Sequence, residues 1–377
     1  MMRLAEAQQS AGWDSSAYFP LTQSLTTQPL KLPLHTVAAV LDDRVIRNPE
    51  FGAPISVLRD KLNTSLDSIP RNSDLIHLHW INGVNTLEKV RKRFPQARLV
   101  WTLHDMNPFT GACHQSLGCD RFLGGCRECP AVRSFAKDLV TRNFKRKQLE
   151  TVPQDVAVIS PSEWLASKAR ASPIFEEARI DVVANPLAHH FLAEPGQRRT
   201  EVAKEIIVTL VARDLRDPLK GVSEVVDACQ VSEGGNSKIS LHLVGANGHQ
   251  WSVFEGVKWL GVLDQVKIKE AYANSDYLIQ PSTGESFGLS VIEGASQGTT
   301  PIVRGGGALE EVRNNLGLGM VFASPTDLGE LFRTIAGKPR PNSKERNHLR
   351  QASEKLYSPD TIRKQCDKIY SNLGICL

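Results

Sequence analysis

Long apolar segments are missing from this 377-residue chain. Nowhere does it approach the roughly 18 uninterrupted apolar residues that a membrane-spanning helix needs. Its first residues, MMRLAEAQQSAGWDSS, also lack the apolar stretch of a signal peptide. Internal repeats and low-complexity segments are absent from the sequence as well. These absences predict a cytoplasmic protein.

A strong charge of either sign is missing too. The formal net charge is +4, and no RRM, zinc-finger or helix-turn-helix pattern accompanies it, so nucleic acid is not an expected partner. Basic residues nevertheless gather in two helical patterns, Lys89–Arg93 and Arg142–Lys147. Each cluster is either a solvated helix face or a peripheral contact with the anionic inner face of a membrane.

The sequence does have the alternating pattern of an α/β protein. Short β-branched runs, several of them continuously apolar, are separated by longer helical patterns, which predicts parallel sheets covered on both faces. The predicted strands are 74–80, 98–105, 155–160, 179–185, 205–212, 238–245, 276–282 and 300–306. The predicted helices include 84–94, 134–150, 162–171, 221–232, 265–274 and 288–298.

The length fits two domains. A polar stretch with Pro and Gly at 191–204 is the expected linker between an N-terminal domain, 1–190, and a C-terminal domain, 205–355. The remaining residues, 356–377, are expected to form a closing helix that packs back toward the N-terminal domain.

Two glutamates, Glu285 and Glu293, flank a small apolar run in the segment ESFGLSVIEG. Positions eight apart in a helix lie about 12 Å apart and differ by about 80° in direction, so the two carboxylates cannot share one small target. Either Glu285 lies in the loop before a helix that contains Glu293, or both are solvated surface charges.

Cationic side chains lie near the predicted strand ends of the same half. Arg213 follows one strand and Lys220 precedes the next helix, and both suit a diphosphate that gains charge as it leaves. The alternative for Arg213 is an ion pair with Asp214 or Asp217. A helix N-terminus near Gly288 would add backbone N–H groups for a phosphate and allow a ligand to approach closely.

The segments LVARDLRDPLKG and DYLIQPSTGESFGLSVIEGASQGTTPIVRGGGALEEV resemble the donor-binding half of a family 4 glycosyltransferase. In the first half, the pattern HDM-x-PFTG-x-C-H-x-S resembles a subgroup from bacterial exopolysaccharide pathways. The resemblance implies the GT-B fold, with two Rossmann-like parallel-sheet domains facing a central cleft. It also implies retaining transfer of a sugar from a nucleotide diphosphate sugar to a glycan or lipid-linked acceptor, with no metal needed for catalysis.

The resemblance also implies roles for particular residues. Glu293 would bind the ribose hydroxyls, and Glu285 would lie beside the donor sugar. Arg213 and Lys220 would hold the diphosphate. Backbone around the helix start and the segment that faces the base would complete the donor site, at Ser286, Phe287, Gly288, Leu289 and Gly261.

A histidine in the first half is the candidate on the acceptor side. His104 follows a predicted strand in the segment WTLHD, and a histidine there is either a satisfied loop residue or a group that faces the ligand. The resemblance implies that His104 approaches the donor sugar, with Asp105 as its neighbour.

Four of the seven cysteines crowd into a short segment with the spacing C-x5-C-x6-C-x2-C. Four thiolates could hold a structural zinc ion that stabilises an irregular loop, although only the last spacing is common in zinc sites. The alternatives are reduced thiols packed as small apolar groups and a redox-sensitive disulfide. The candidate ligands are Cys113, Cys119, Cys126 and Cys129.

The N-terminus differs from the family pattern. RLAEAQQSAG reads as a first helix ending at Gly12, and SAYFPL reads as an extended segment after it. The sequence does not show the strand and glycine-rich loop that the family has ahead of this helix, which predicts either a recorded start inside the natural frame or a degenerate protein. Two further functions stand beside the transferase: a truncated, non-catalytic relative that binds nucleotide or metal, and a nucleotide-sugar epimerase on the same fold, which the glutamate spacing disfavours.

Overall fold

The structure is a computed structural model, and it describes most of the chain. The described residues are 2–17, 38, 40–57, 66–67, 69–81, 86–150, 152, 155–193, 205–231 and 238–375. The chain divides into two compact units. The first unit holds Met1–Val183 and Arg363–Leu377, and the second holds Ala184–Ile362.

A parallel four-stranded sheet forms the centre of the first unit. Its strands are β1 (Leu75–His79), β2 (Arg98–Thr102), β3 (Val156–Ser160) and β4 (Ile180–Val182), and they lie side by side in that order. The helices are α1 (Met2–Ser10), α2 (Leu87–Arg93), α3 (Lys137–Leu149) and α4 (Glu163–Arg170). One apolar core joins the strands to α2, α3 and α4, with Leu99, Phe109, Phe144 and Phe175 almost fully buried in it.

A parallel six-stranded sheet forms the centre of the second unit. Its strands are β5 (Glu205–Asp214), β6 (Lys238–Ala246), β7 (Val257–Gly261), β8 (Tyr277–Gln280), β9 (Thr300–Arg304) and β10 (Met320–Phe322). Their order across the sheet is β10-β9-β8-β5-β6-β7. The helices are α5 (Val222–Val231), α6 (Gln265–Asn274), α7 (Leu289–Ser296), α8 (Ala308–Leu316), α9 (Pro325–Ala336) and α10 (Ser343–Tyr357). A last helix, α11 (Pro359–Asn372), begins in the second unit, and its residues from Arg363 onward belong to the first.

Strand β8 shows why the second unit needs helices on both faces of its sheet. Tyr277 and Ile279 are buried in one apolar cluster, whereas Leu278 between them is buried in another. Side chains alternate across a strand, so a continuously apolar strand must be covered on both sides. Loops follow the carboxyl ends of the parallel strands, and polar side chains lie in these loops.

The eight predicted strands and the six predicted helices are confirmed, with ends that differ by a few residues. Ser358 caps the closing helix, as expected, because its Oγ accepts a hydrogen bond from the Thr361 N–H. The first helix ends at Ser10, and Gly12 adopts a φ of +89° just after it. The predicted linker falls mainly on 194–204, and the extended SAYFPL falls mainly on 18–21, both outside the described residues.

Two strands and two helices were not identified from the sequence, whereas α8 is the further helix predicted after the glycine loop in VRGGGALEEV (303–312). Strand β7 lies at the edge of its sheet with three of its five residues exposed, so it lacks the continuous apolar run of a buried strand. Strand β10 has three residues. Helices α9 and α10 are the other two additions. Among the described residues, no helix is both long and apolar enough to cross a membrane.

Candidate functional site

Lys220 and Glu285 meet at the carboxyl edge of the sheet in the second unit. Lys220 follows β5 in a short 3₁₀ turn, and Glu285 follows β8. The Lys220 Nζ lies 2.5 Å from the Glu285 Oε1, and each side chain keeps about a quarter of its surface exposed. Because β5 and β8 are parallel neighbours, their following loops leave the sheet side by side. The structure therefore brings together one cation and one carboxylate of the predicted set.

Backbone contacts hold these two loops against each other. The Thr283 N–H donates to the Leu219 carbonyl at 3.0 Å. Asp217 caps the turn that carries Lys220, since its Oδ1 accepts from the Leu219 N–H. Gly221 has a φ of +59°, and a side-chain carbon there would lie 3.2 Å from the Cβ of Pro281. Only glycine fits this left-handed position without strain, so Lys220 is held over the loop after β8.

Helix α7 begins directly after the second loop. Its N-cap is Gly288, with a φ of +115° and no side-chain capping hydrogen bond, so the first N–H groups of the helix have no side-chain cap. A side chain at Gly288 would meet Leu309 at 2.7 Å, so packing as well as backbone conformation requires glycine here. Glu293 lies one turn into the helix and is partly exposed.

The three predicted residues between Glu285 and the helix differ in exposure. Ser286 is buried. The Phe287 ring is buried in the apolar core and packs edge-on against Tyr357, 5.8 Å between ring centres. Leu289 is exposed. A role of Phe287 toward a ligand would therefore fall on its backbone and not on its ring.

Arg213 is exposed near the end of β5. The ion pair considered for it is not observed, because Asp214 pairs with Arg216 at 3.0 Å instead. This contact lowers the pKa of Asp214 below its usual range, chiefly through the hydrogen bond from Arg216. Asn247 donates to the same carboxylate at 2.9 Å. In the described part of the chain, the Arg213 guanidinium has no hydrogen bond or ion pair.

Close backbone approach fixes the end of β5. Gly245 of β6 has a φ of +146°, and a side-chain carbon there would lie 2.0 Å from the Ala212 carbonyl oxygen. The Trp259 indole N–H donates to the Gly245 carbonyl at 2.8 Å. Gly261, at the end of β7, has open space around it. Gly245 of β6 therefore contacts both the end of β5, which carries Arg213, and β7, which carries the predicted base segment.

Two side chains near the Lys220–Glu285 pair were not identified from the sequence. Gln280 donates to Glu285 at 3.4 Å and to Ser282 at 2.9 Å. Arg304, the last residue of β9, donates to the Pro281 carbonyl at 2.7 Å and pairs with Glu224. The sequence signal for Arg304 was its position directly before a glycine triplet. Its partners, Pro281 and Glu224, lie far from it in the sequence, so the signal did not indicate them.

In the first unit, His104 lies just beyond β2. Its Nε2 is 2.9 Å from the Nδ1 of His79, the last residue of β1. Burial lowers the pKa of His104 to about 4 and that of His79 well below the usual value, because a desolvated imidazole resists protonation. Both rings are therefore neutral near pH 7. A neutral His104 ring has one nitrogen that donates a hydrogen bond and one that accepts.

Asp105 lies at the centre of a buried polar network. Its Oδ2 is 2.7 Å from the Trp80 Nε1 and 2.7 Å from the His114 Nδ1, and its Oδ1 accepts from the Asn107 N–H. Burial alone would raise the pKa of Asp105, but His114 and the hydrogen bonds from His114, Asn107 and Trp80 lower it. The His114 Nε2 continues the network to the Ser56 Oγ at 2.7 Å.

The four clustered cysteines are all free thiols, and three of them are buried. The Gly111 N–H donates to the Cys126 sulfur at 3.2 Å, and burial raises the pKa of Cys126 to about 12. The interaction between the Cys113 and Cys129 side chains raises the pKa of Cys113 and lowers that of Cys129 to about 7. Within the described ranges, no three or more His, Cys, Asp or Glu side chains are grouped so that they could hold a metal ion. The zinc site therefore stays a prediction.

The two basic clusters are partly used inside the first unit. Arg91 forms a bidentate pair with Asp155, Arg146 pairs with Glu150, and Lys147 donates to Asn107. Exposed cations remain on both helices: Lys89, Lys92, Arg142 and Lys145. A membrane contact through them stays a prediction.

Known proteins resemble part of the chain in sequence. Residues 197–356 match the family model described as Glycosyl transferases group 1. The chain is 27% identical over 259 residues to a protein of Escherichia coli K12 named as a colanic acid biosynthesis glycosyl transferase, WcaC. This alignment covers 64% of this chain and 61% of WcaC. The chain spans about three fifths of the length of the curated relatives it matches.

Solved structures resemble the chain in fold. Sucrose-phosphate synthase of Thermosynechococcus elongatus matches with a TM-score of 0.59 and 18% identity, over 80% of this chain and 74% of that one. Anabaena HepE, solved in complex with UDP-glucose, matches with a TM-score of 0.52 and 17% identity, over 79% of each chain. The predicted α/β fold with two parallel-sheet domains of the GT-B type is thereby confirmed.

Proposed function

We propose that this chain is a retaining, metal-independent hexosyltransferase of the family 4 type. It would move a sugar from a nucleotide diphosphate sugar to a glycan or lipid-linked acceptor, in bacterial surface or exopolysaccharide synthesis. The observation that carries the proposal is the contact between Lys220 and Glu285 at the carboxyl edge of the second sheet, inside the segment that matches the family model. The name of WcaC, and UDP-glucose in the HepE structure, support the reaction class.

In the proposed donor site, Lys220 and Arg213 hold the diphosphate. Arg213 is exposed without a partner among the described residues, and Lys220 has a single carboxylate as its counter-charge. A departing nucleoside diphosphate gains negative charge, and two nearby cations stabilise it more than they stabilise the bound donor. Leaving-group stabilisation is then the main contribution of these residues to the rate.

In this proposal the two glutamates contact opposite ends of the donor. Glu285, beside Lys220, faces the sugar, and Glu293, one turn inside α7, accepts hydrogen bonds from the ribose hydroxyls. The uncapped start of α7 offers N–H groups to a phosphate, from Gly288 and Leu289. The base lies near Gly261, where the chain leaves open space at the end of β7.

On the acceptor side, His104 is the proposed catalytic group of the first unit. Its low pKa keeps the ring neutral at pH 7, so it can accept a hydrogen bond from a sugar hydroxyl. The exposed cations of the two basic clusters would hold the protein near the anionic inner face of the membrane, where a lipid-linked acceptor would lie.

A thermal-shift experiment with UDP, GDP, ADP and TDP tests the donor site. A ligand at 100 times its dissociation constant stabilises a protein by about 2.7 kcal/mol, which raises the melting temperature measurably. We expect one nucleotide to shift the wild type and to shift Glu293→Ala much less. The matched control is Glu330→Ala, an exposed glutamate of α9 in the same unit.

The proposal fails if none of the four nucleotides stabilises the wild type. It also fails in its residue assignment if Glu293→Ala and Glu330→Ala respond alike. Incubation with the matching nucleotide sugar, followed by product analysis without acceptor, separates a transferase from an epimerase, because only an epimerase would convert the donor sugar itself.

A further inference from the structure

Trp80 is a large aromatic side chain at the carboxyl end of β1 that stays half exposed, at 50% of its surface. Its backbone φ is +48°, in the left-handed region that a bulky residue rarely adopts. Strain of this kind persists only where the surrounding contacts fix the residue, and it is concentrated at ligand-binding positions. An exposed indole held in a strained conformation contributes little to the core.

A buried hydrogen-bonded brace fixes the indole. The Trp80 Nε1 donates to Asp105, Asp105 contacts the His114 Nδ1, and the His114 Nε2 contacts the Ser56 Oγ, each at 2.7 Å. Ser56 is 2% exposed, so its hydroxyl is closed to substrates. The chain of hydrogen bonds from Ser56 through His114 to Asp105 therefore positions Trp80. The buried Ser56 hydroxyl does not act as a nucleophile.

The hydrogen-bonded pair His79 and His104 adjoins this tryptophan in the chain. Both rings are neutral, and one nitrogen of each is used in the bond between the His79 Nδ1 and the His104 Nε2. If His79 donates, its Nε2 is an acceptor and the His104 Nδ1 carries a proton; if His104 donates, the roles are exchanged. Either way, the pair offers one donor and one acceptor.

We propose that Trp80 and the His79–His104 pair form a pyranose-binding subsite in the first unit. The face of an indole ring is electron-rich and attracts the weakly positive C–H groups on the apolar face of a sugar ring. A sugar hydroxyl both donates and accepts, which matches the two free imidazole nitrogens. The inference rests on the proposed function in one respect: the bound ring is taken to be that of the acceptor.

Indole N–H resonances of the full chain test the subsite. The chain has six tryptophans, and Trp80→Phe removes one cross-peak from the ¹H–¹⁵N spectrum and so assigns it. Trp80→Tyr assigns the same peak if the phenylalanine variant does not fold. Methyl β-D-glucopyranoside and methyl β-D-galactopyranoside are the probes, and acyclic mannitol is the control. We expect a saturable shift of the Trp80 peak with at least one glycoside and none with mannitol.

A histidine variant tests the second half of the subsite. His79→Ala should weaken glycoside binding at least fivefold, whereas His189→Ala, an exposed histidine of the other unit, should leave it unchanged. A Trp80 peak that is stationary with both glycosides, or that moves equally with mannitol, overturns the proposal.

Nucleotide binding by the same wild-type protein keeps the two proposals separate. Stabilisation by UDP or another of the four nucleotides, without a response of the Trp80 peak, overturns the subsite alone. A response of the Trp80 peak without stabilisation by any nucleotide supports the subsite and overturns the transfer reaction.

Discussion

The Nζ of Lys220 lies 2.5 Å from the Oε1 of Glu285, and this contact joins the loops that follow the neighbouring parallel strands β5 and β8. The two residues are 65 positions apart in the chain. In the proposed donor site, the carboxylate neutralises the ammonium when no diphosphate is bound. A bound diphosphate would compete for the same cation.

Replacement of either partner should separate its role in stability from its role in binding. Glu285→Gln should lower the free energy of unfolding by only about 1 kcal/mol, because the pair is partly exposed. We expect UDP, as the probe, to bind Glu285→Gln at least as tightly as the wild type, since Lys220 is released from its counter-charge. Lys220→Met should bind UDP at least tenfold more weakly, or about 1.4 kcal/mol, by isothermal titration calorimetry.

Lys258→Met is the matched control for the lysine variant. Lys258 pairs with Glu205 in the same unit, and both side chains are exposed. Lys258 lies on the edge strand β7, and Glu205 is the first residue of β5, at the end of that strand opposite to Lys220. This variant should bind UDP with the wild-type dissociation constant. Wild-type affinity in Lys220→Met would contradict the diphosphate role.

Gly245→Ala should distort the end of β5 that carries Arg213. The added carbon would lie 2.0 Å from the Ala212 carbonyl oxygen, so the backbone of one strand must move. We expect a loss on the order of 3 kcal/mol in urea unfolding, together with weaker nucleotide binding. Gly306→Ala also changes a left-handed glycine, but into open space, and should cost about 1 kcal/mol. Equal losses in the two variants would show that the close approach is unimportant.

Asp105→Asn should be far more destabilising than a comparable change on the surface. The Asp105 carboxylate is buried and accepts hydrogen bonds from Trp80, His114 and Asn107, and an amide cannot accept all of them. We expect a loss of about 3 kcal/mol by urea unfolding. Asp155→Asn removes a bidentate but largely exposed partner of Arg91 and should cost less than about 1 kcal/mol. Similar losses would refute the buried network as a source of stability.

Acid should destabilise the first unit through its buried histidines. Burial lowers the pKa of His104 to about 4 and that of His77 to about 3, from an unfolded value of 6.5. Between these values the unfolded chain binds more protons than the folded chain, so stability falls as the pH drops from 6.5 toward 4. For His104 the full effect is about 3 kcal/mol.

The slope of stability against pH is the measurement for this prediction. Urea midpoints recorded from pH 7 to pH 4 should fall less steeply in His104→Asn than in the wild type. His189→Asn, which changes an exposed histidine, should keep the wild-type slope. A wild-type slope in His104→Asn would show that this ring protonates normally in the folded chain.

Sequence pattern was sufficient for the elements whose physical signal is local. A parallel strand such as β8 is buried at every residue and is largely apolar, and a helix start is marked by residues such as Ser358 and Pro359. The edge strand β7 could not be found in this way, because its exposed positions break the apolar run. Its strand character comes from hydrogen bonds to β6, which no local pattern records.

The same division holds for the candidate site. The spacing of Glu285 and Glu293 excluded a shared small target because a helix has a fixed rise, and it left two placements open. The structure has Glu285 in a loop and Glu293 within α7. Tertiary structure alone decided that Glu285 pairs with Lys220 and that Asp105 accepts a hydrogen bond from Trp80. These partners come from different strand ends, and only the folding of parallel strands into one sheet brings such ends to a common edge.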